Sequence, residues 1–377
     1  MAYNPGNLDS RLLSGERSSI QLIFSYVLDW AIIILVAAVG GVLYKITGYR
    51  HAFSLEDPQI SYPLLSDTVS ITVVAIVACG APAITILALS LLIPSSAITT
   101  SSHGDGGSVW RRRLWEWHAG WLGLGLSLAG AFFVTSGLKD VVGKPRPDFL
   151  ARCDPDLSNV AAYIVGGLGL KQASAPIMVT SSICQNTDAS IVKDGFAAFP
   201  SGHSSFSWAG LLYLTLWLSI KFAVRFPMPI RLTPQIGQRD RNNSLAQTTH
   251  DPIPTRSSAT APPLYLLLLV LSPIGVALYI CATRYADYMH AGWDIMGGSL
   301  IGIFFAWFGI RWYHVPSHAG EFLDHSGWAW APRCSWAAFG VPFGTSYVVA
   351  REPRRNTSGY EDLELGPVPQ STGIGAE

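Results

Sequence analysis

Apolar residues gather in six long runs along the chain, at roughly 21–46, 68–94, 117–138, 204–220, 264–283 and 291–312. A helix rising about 1.5 Å per residue needs about 20 apolar residues to cross a hydrocarbon core of about 30 Å. Each run is therefore expected to span, and together they predict an all-α integral membrane protein, a six-transmembrane-helix bundle. The domain layout follows: an N-terminal segment over 1–20, a six-span core over 21–312 and a tail over 313–377. The second run carries no charged residue, whereas the first holds Asp29. An acid at that depth is expected to find a partner inside the bundle or near a headgroup. Trp30, Tyr44, Trp115, Trp117, Trp121, Trp312 and Tyr313 fall near run ends, where aromatic rings serve as interfacial anchors.

Composition agrees with a bilayer protein: 49% of residues are hydrophobic, 13% are charged, and the mean hydropathy is +0.32. A formal net charge of zero gives no reason to expect nucleic acid as a partner. The polar first twenty residues lack the pattern of a cleavable signal, so the first apolar helix is expected to act as the targeting signal. Most Lys and Arg lie in the N-terminus, in 97–116 (with Arg111, Arg112 and Arg113), in 221–263 and in the tail. The positive-inside rule puts these segments and both termini in the cytoplasm. The 225–263 segment, rich in Pro, Gln, Asn, Ser and Thr, reads as a flexible loop, and the sequons at Asn242 and Asn356 should go unused on that side. The aromatic stretch 327–349 reads as lying on the membrane surface, and the tail from about 351 as disordered. Five cysteines show no metal-ligand spacing. Cys153 and Cys184 share the long 144–199 segment on the oxidising side and are expected to form a disulfide.

Three polar clusters change the picture. Lys139 to Pro147 (Lys-Asp-Val-Val-Gly-Lys-Pro-Arg-Pro) follows the third run, Phe199 to Ser204 (Phe-Pro-Ser-Gly-His-Ser) precedes the fourth, and Arg284 to Asp294 lies between the fifth and sixth. Counting crossings puts all three on the non-cytoplasmic side, near the membrane surface. Lys139, Arg146 and Arg284 supply three cations for one dianionic group. Pro145 and Pro147 stiffen the backbone around Arg146. Ser201 and Gly202 open a helix whose free N–H groups and dipole favour an anion, with His203 in its first turn. His290 and Asp294, four apart, would share one helix face, so the carboxylate could fix the imidazole tautomer and leave the other nitrogen to attack. His203 would then protonate the leaving oxygen. No acidic cluster suited to Mg²⁺ accompanies them, so no cofactor is expected. Lys144 and Arg152 read as general loop basicity.

These clusters resemble the signature of the type-2 phosphatidic acid phosphatase superfamily, the lipid phosphate phosphatases. That pattern is Lys-x6-Arg-Pro, then Pro-Ser-Gly-His, then Ser-Arg-x5-His-x3-Asp. Lys139…Arg146-Pro147, Pro200-Ser201-Gly202-His203 and Arg284…His290…Asp294 match it, with Thr283 in place of the usual Ser. The resemblance implies a Mg²⁺-independent phosphohistidine mechanism. His290 would be the nucleophile, Asp294 its orienting partner and His203 the acid and then base. Lys139, Arg146, Ser201, Gly202 and Arg284 would hold the phosphate. With the segment Phe53 to Pro63, the whole is similar to the fungal diacylglycerol pyrophosphate phosphatase branch. That similarity implies phosphatidate, diacylglycerol pyrophosphate or lysophosphatidate as the membrane substrate. It also implies residence in an endomembrane (vacuole, Golgi or ER) or the plasma membrane, with the site luminal or extracellular. Alternatives are another phosphate substrate (sphingoid-base, isoprenoid or sugar phosphate), phosphotransfer to an alcohol, or a non-catalytic scaffold or transporter.

Overall fold

The computed structural model describes residues 6–93, 106–172, 175–222, 224 and 263–314. The expected loop over 225–262, the surface-lying stretch 327–349, both sequons and the tail lie outside the described residues. Long apolar runs became long helices. Helix α1 is Gly6–Lys45, α2 Ile71–Leu92 and α3 Gly106–Val142, and the first and third begin well before the runs that predict them. Three consecutive helical pieces, Gly202–Ser207, Trp208–Leu212 and Tyr213–Lys221, make up α6, after the short helices α4 (Phe149–Cys153) and α5 (Ala189–Gly195). Helices α7 (Leu264–Ala286) and α8 (Gly292–Tyr313) complete the set. Among the described residues five helices are long and apolar enough to cross a membrane: α2, α7, α8, Ile23–Lys45 of α1 and Arg113–Val142 of α3.

The packing is that of a bundle in lipid. Large apolar side chains such as Ile34, Leu35, Ile84, Leu268, Leu300 and Phe304 face outward, while serines and threonines lie inside. With lipid as apolar as leucine, helices there gain from close approach and hydrogen bonds. Ser127 Oγ donates to the Ala209 carbonyl at 2.8 Å, and Thr135 Oγ1 to Ser205 Oγ at 2.8 Å, fastening α3 to α6. Helix α6 is the centre of the bundle, with Tyr213, Thr215 and Trp217 fully buried against α3, α7 and α8. Where α8 crosses it, a Cβ on Gly298 would strike the Ser201 carbonyl and one on Gly302 the Ser205 carbonyl. Only glycine admits that approach.

Three of the aromatics near run ends make hydrogen bonds within the bundle. Trp30 Nε1 donates to His118 Nε2 at 3.1 Å, Trp121 Nε1 to the Ala83 carbonyl at 3.0 Å and Tyr313 Oη to Asp29 Oδ2 at 3.0 Å. These polar tips tie helix to helix, and Asp29 has its partner within the bundle.

One end of the bundle is capped by the segments 46–70 and 143–201. A small antiparallel ladder pairs β1 (Ile164–Gly166) with β2 (Met178–Val179), and Phe53 bridges to Val179. Phe53, Ile60, Phe149, Ile183, Val192 and Phe196 form its own small core, with Cys153 and Cys184 joined in a disulfide beside it. This cap carries Arg146 and Arg152 to the ends of α7 and α8.

Candidate active site

The site grows out of the corner between α7 and α8. Helix α7 stops because Tyr288 turns into the left-handed region at φ +56°, and the N–H groups of Met289 and His290 both return to the Arg284 carbonyl, at 3.1 and 3.3 Å. Helix α8 starts two residues after His290, where Asp294 Oδ2 accepts the Ala291 N–H at 3.0 Å. His290 is thus held rigidly between two helix ends, 2% exposed.

Its imidazole is not oriented by Asp294, a correction to the expected pairing. His290 Nδ1 lies 2.7 Å from the Ala198 carbonyl. A carbonyl can only accept, so Nδ1 carries the proton and the Nε2 lone pair is free. The Asp294 carboxylate, fully buried, instead accepts from Lys144 Nζ at 2.8 Å. Asp294 also accepts the Ser201 N–H on its backbone carbonyl at 2.9 Å. It therefore sets the corner's shape, and the i, i+4 spacing fails because His290 precedes the helix that bears Asp294. Burial, then the charges of Arg146 and Lys139, push His290 well below the usual imidazole range, against the pull of the Ala198 hydrogen bond.

The cations arrive with carboxylates that the sequence did not point to. Arg146 Nη2 donates to Asp194 Oδ1 at 2.7 Å, and Arg284 to Asp67 Oδ1 at 2.8 Å and Asp287 Oδ2 at 2.7 Å. Arg152 joins them: its guanidinium bonds Asp148 at 2.8 Å and Asp194 Oδ2 at 3.2 Å. Arg146 Nη1 and Arg152 Nη2 both reach Met289 Sδ, at 3.5 and 3.0 Å. Burial raises the Asp194 carboxyl, but Arg146, Lys139 and Arg152 outweigh it and hold the group below the usual carboxylate range. The Nε–H groups of Arg146 and Arg284 are buried and have no acceptor among the described residues. Buried donors of this kind ordinarily have acceptors, so both arginines are suited to a further oxyanion.

Around this centre sit the other residues singled out from sequence. A Cβ built on Gly202 would lie 3.6 Å from Lys139 Nζ, so the lysine reaches the start of α6. Ser201 caps α6, its Oγ accepting from the Ser204 N–H at 3.4 Å and from Ser204 Oγ at 3.1 Å. Its hydroxyl oxygen therefore already serves the helix start. His203, just ahead of the apolar stretch 204–220, has Nε2 3.2 Å from the Val69 carbonyl, which leaves Nδ1 as its proton acceptor. Burial and then Arg284, with Lys139 and Arg146, lower its pKa to about 4, against Asp67. So the structure gathers Lys139, Arg146, Gly202, His203, Arg284 and His290, and keeps Ser201 and Asp294 as framing groups.

Sequence reasoning set Lys144 and Arg152 aside as loop basicity and did not single out Asp67, Asp148, Asp194, Asp287 or Met289. Lys144 and Arg152 sit within eight residues of Arg146 in a run that repeats Lys/Arg next to Pro and Asp, the one local signal that was available.

Helices long and apolar enough to cross a membrane thus gather buried arginines and a fixed imidazole at one end, an arrangement suited to an oxyanion. The model of the PAP2 superfamily matches residues 120–316, more than half of the 377, and the chain belongs to that superfamily. It is 28% identical over 302 residues to lipid phosphate phosphatase 2 of Arabidopsis thaliana, covering 80% of this chain and 79% of that one. It is 24% identical over 289 residues to diacylglycerol pyrophosphate phosphatase 1 of Saccharomyces cerevisiae, covering 76% and 79%. A probable diacylglycerol pyrophosphate phosphatase 1 of Schizosaccharomyces pombe is 27% identical over 278 residues, covering 74% and 75%. No solved structure matches it significantly.

Proposed function

We propose that the chain hydrolyses the phosphomonoester or pyrophosphate group of membrane lipids, phosphatidate, diacylglycerol pyrophosphate and lysophosphatidate, through a phosphohistidine on His290 and without Mg²⁺. The observation that carries this reading is His290 itself, neutral and buried, with Nδ1 blocked by the Ala198 carbonyl and cations beside it. In the first step the Nε2 lone pair attacks phosphorus, the bond to the leaving oxygen breaks, and His203 Nδ1–H gives that oxygen its proton. In the second, His203 takes a proton from water, the oxygen attacks phosphorus, the N–P bond breaks, and inorganic phosphate leaves. Lys139, Arg146, Arg284 and the Gly202 and His203 N–H groups take up the charge that develops on the equatorial oxygens. Burial, and then the surrounding cations, disfavour the charged form of His203 in the free site. A phosphate dianion offsets those cations and lets the imidazole hold the proton it must donate.

The helical stretch 204–220 supports a sixth span: its residues at about 1.5 Å each reach about 26 Å, near the short limit for crossing. With six spans, the layout over 21–312 puts the cap and site on the non-cytoplasmic side, with both termini in the cytoplasm. A lipid headgroup can reach such a site while its chains stay in the bilayer, which favours lipid over soluble phosphates.

The test is phosphate release from micellar phosphatidate and diacylglycerol pyrophosphate with EDTA present. The wild type is expected to release phosphate, and His290→Ala to lose at least about a thousandfold in kcat, as covalent nucleophiles do when removed. An unchanged rate in the variant, or a rate abolished by EDTA, would overturn the mechanism.

A further inference from the structure

Tyr288 occupies a backbone position that L-residues avoid. Its φ of +56° is that of a left-handed helix terminus, where Gly or Asn is the usual occupant. Nothing in the local backbone calls for a tyrosine, so the ring itself must have a use. Outliers of this kind gather at functional sites, and the inference runs from the outlier to the role. The ring stacks on Tyr62, with centroids 4.7 Å apart and planes inclined by 20°.

The two rings come from different segments, Tyr62 from the cap and Tyr288 from the corner between α7 and α8. Tyr288 lies between Asp287, which holds Arg284, and Met289, which touches Arg146 and Arg152. Tyr62 is moored by its N–H to the Pro147 carbonyl at 3.0 Å, next to Arg146. The stack thus bridges the arginine of the cap to the corner that carries His290. Tyr62 is 43% exposed, and Tyr285 and Trp293, which flank the same corner, are 64% and 75% exposed. An aromatic pair with one ring exposed and the other half-buried, beside a buried cationic pocket, offers apolar surface to whatever is bonded to the phosphate, while the charges hold the phosphate itself.

We propose that the Tyr62–Tyr288 stack is a specificity-determining wall of this site. It makes apolar contact with the first carbons of a lipid alcohol leaving group and so selects lipid phosphates over small phosphate esters. This rests on the phosphatase reading above and adds the pair as the element that recognises the leaving group.

The experiment compares kcat/KM for dioctanoyl phosphatidate in detergent micelles with that for ethyl phosphate, each measured on the same preparation. A ratio of two rates from one preparation does not depend on how much of it is folded. Tyr288→Gly suits the left-handed backbone and removes the ring. It is expected to lower the lipid/ethyl phosphate ratio about three- to tenfold, the scale of one aromatic contact of roughly 0.5–1.5 kcal/mol. Tyr62→Ala should lower the ratio in the same direction, and Tyr288→Phe, which keeps the stack, should restore it. Equal falls for both substrates in Tyr288→Gly, or an unchanged ratio in Tyr62→Ala, would overturn the proposal and leave the pair a structural clasp. Failure of the wild type to turn over either ester would instead overturn the phosphatase reading.

Discussion

Lys144 and Asp294 meet across 150 residues of chain, at 2.8 Å, with the carboxylate wholly buried. A buried carboxylate that loses the cation bonded to it is costly, whereas removing both partners is far less so. Lys144→Ala and Asp294→Asn are each expected to lower kcat about 10- to 100-fold, by loosening the corner that holds His290 and Ser201. The double variant should be little worse than either, a coupling read from a double-mutant cycle. Were Asp294 instead to act on His290 directly, Asp294→Asn alone would be much the more damaging. At this scale the sequence was legible where a residue type is rare and chemically particular. His203, His290, Arg146 and Arg284 stood out as such. It was illegible where the partner is a common carboxylate in a polar loop. Asp67 and Asp194 have no neighbours in the chain that foretell Arg284 and Arg146, because those ion pairs exist only once the cap has folded over the bundle.

Among the elements, α6 and α8 set the geometry, and they do so through small residues at their crossing. A Cβ at Gly298 would strike the Ser201 carbonyl, and it would also come within 3.2 Å of Ser204 Cβ. Gly298→Ala is therefore expected to push the start of α6, with Gly202 and His203, away from α8 and His290. A displacement of about 1 Å at a catalytic group can cost about a hundredfold in rate. The variant should lose kcat to that order while keeping its helical content by circular dichroism. A wild-type kcat would mean that the crossing does not position the site. Helix existence was plain in the six apolar runs. Helix ends were not, since α1 and α3 run on through polar residues that the hydropathy pattern had left outside. Nor was the role of Trp30, Trp121 and Tyr313, because an indole N–H or a phenol near a run end can face either a headgroup or a neighbouring helix.

Over the described residues as a whole, large apolar side chains cover the flanks of the helices, and two histidines lie inside the site. Both His203 and His290 have pKa values lowered on folding. Below pH 6.5 the unfolded chain therefore binds protons that the folded chain refuses, so stability is present above that pH and is lost as pH falls. The melting temperature in detergent should drop between about pH 7 and pH 5, and drop less steeply in a His203→Asn, His290→Asn double variant. Equal slopes would show that other groups govern acid unfolding. The order of the parts along the chain has a consequence for how the protein is made. Asp67, Lys139, Arg146, Asp194 and Ala198 all leave the ribosome well before Arg284 and His290, which arrive only with α7 and α8. On the reading proposed above, a nascent chain would carry most of the residues that hold phosphate before the proposed nucleophile, and turnover would begin only once α7 and α8 have been inserted.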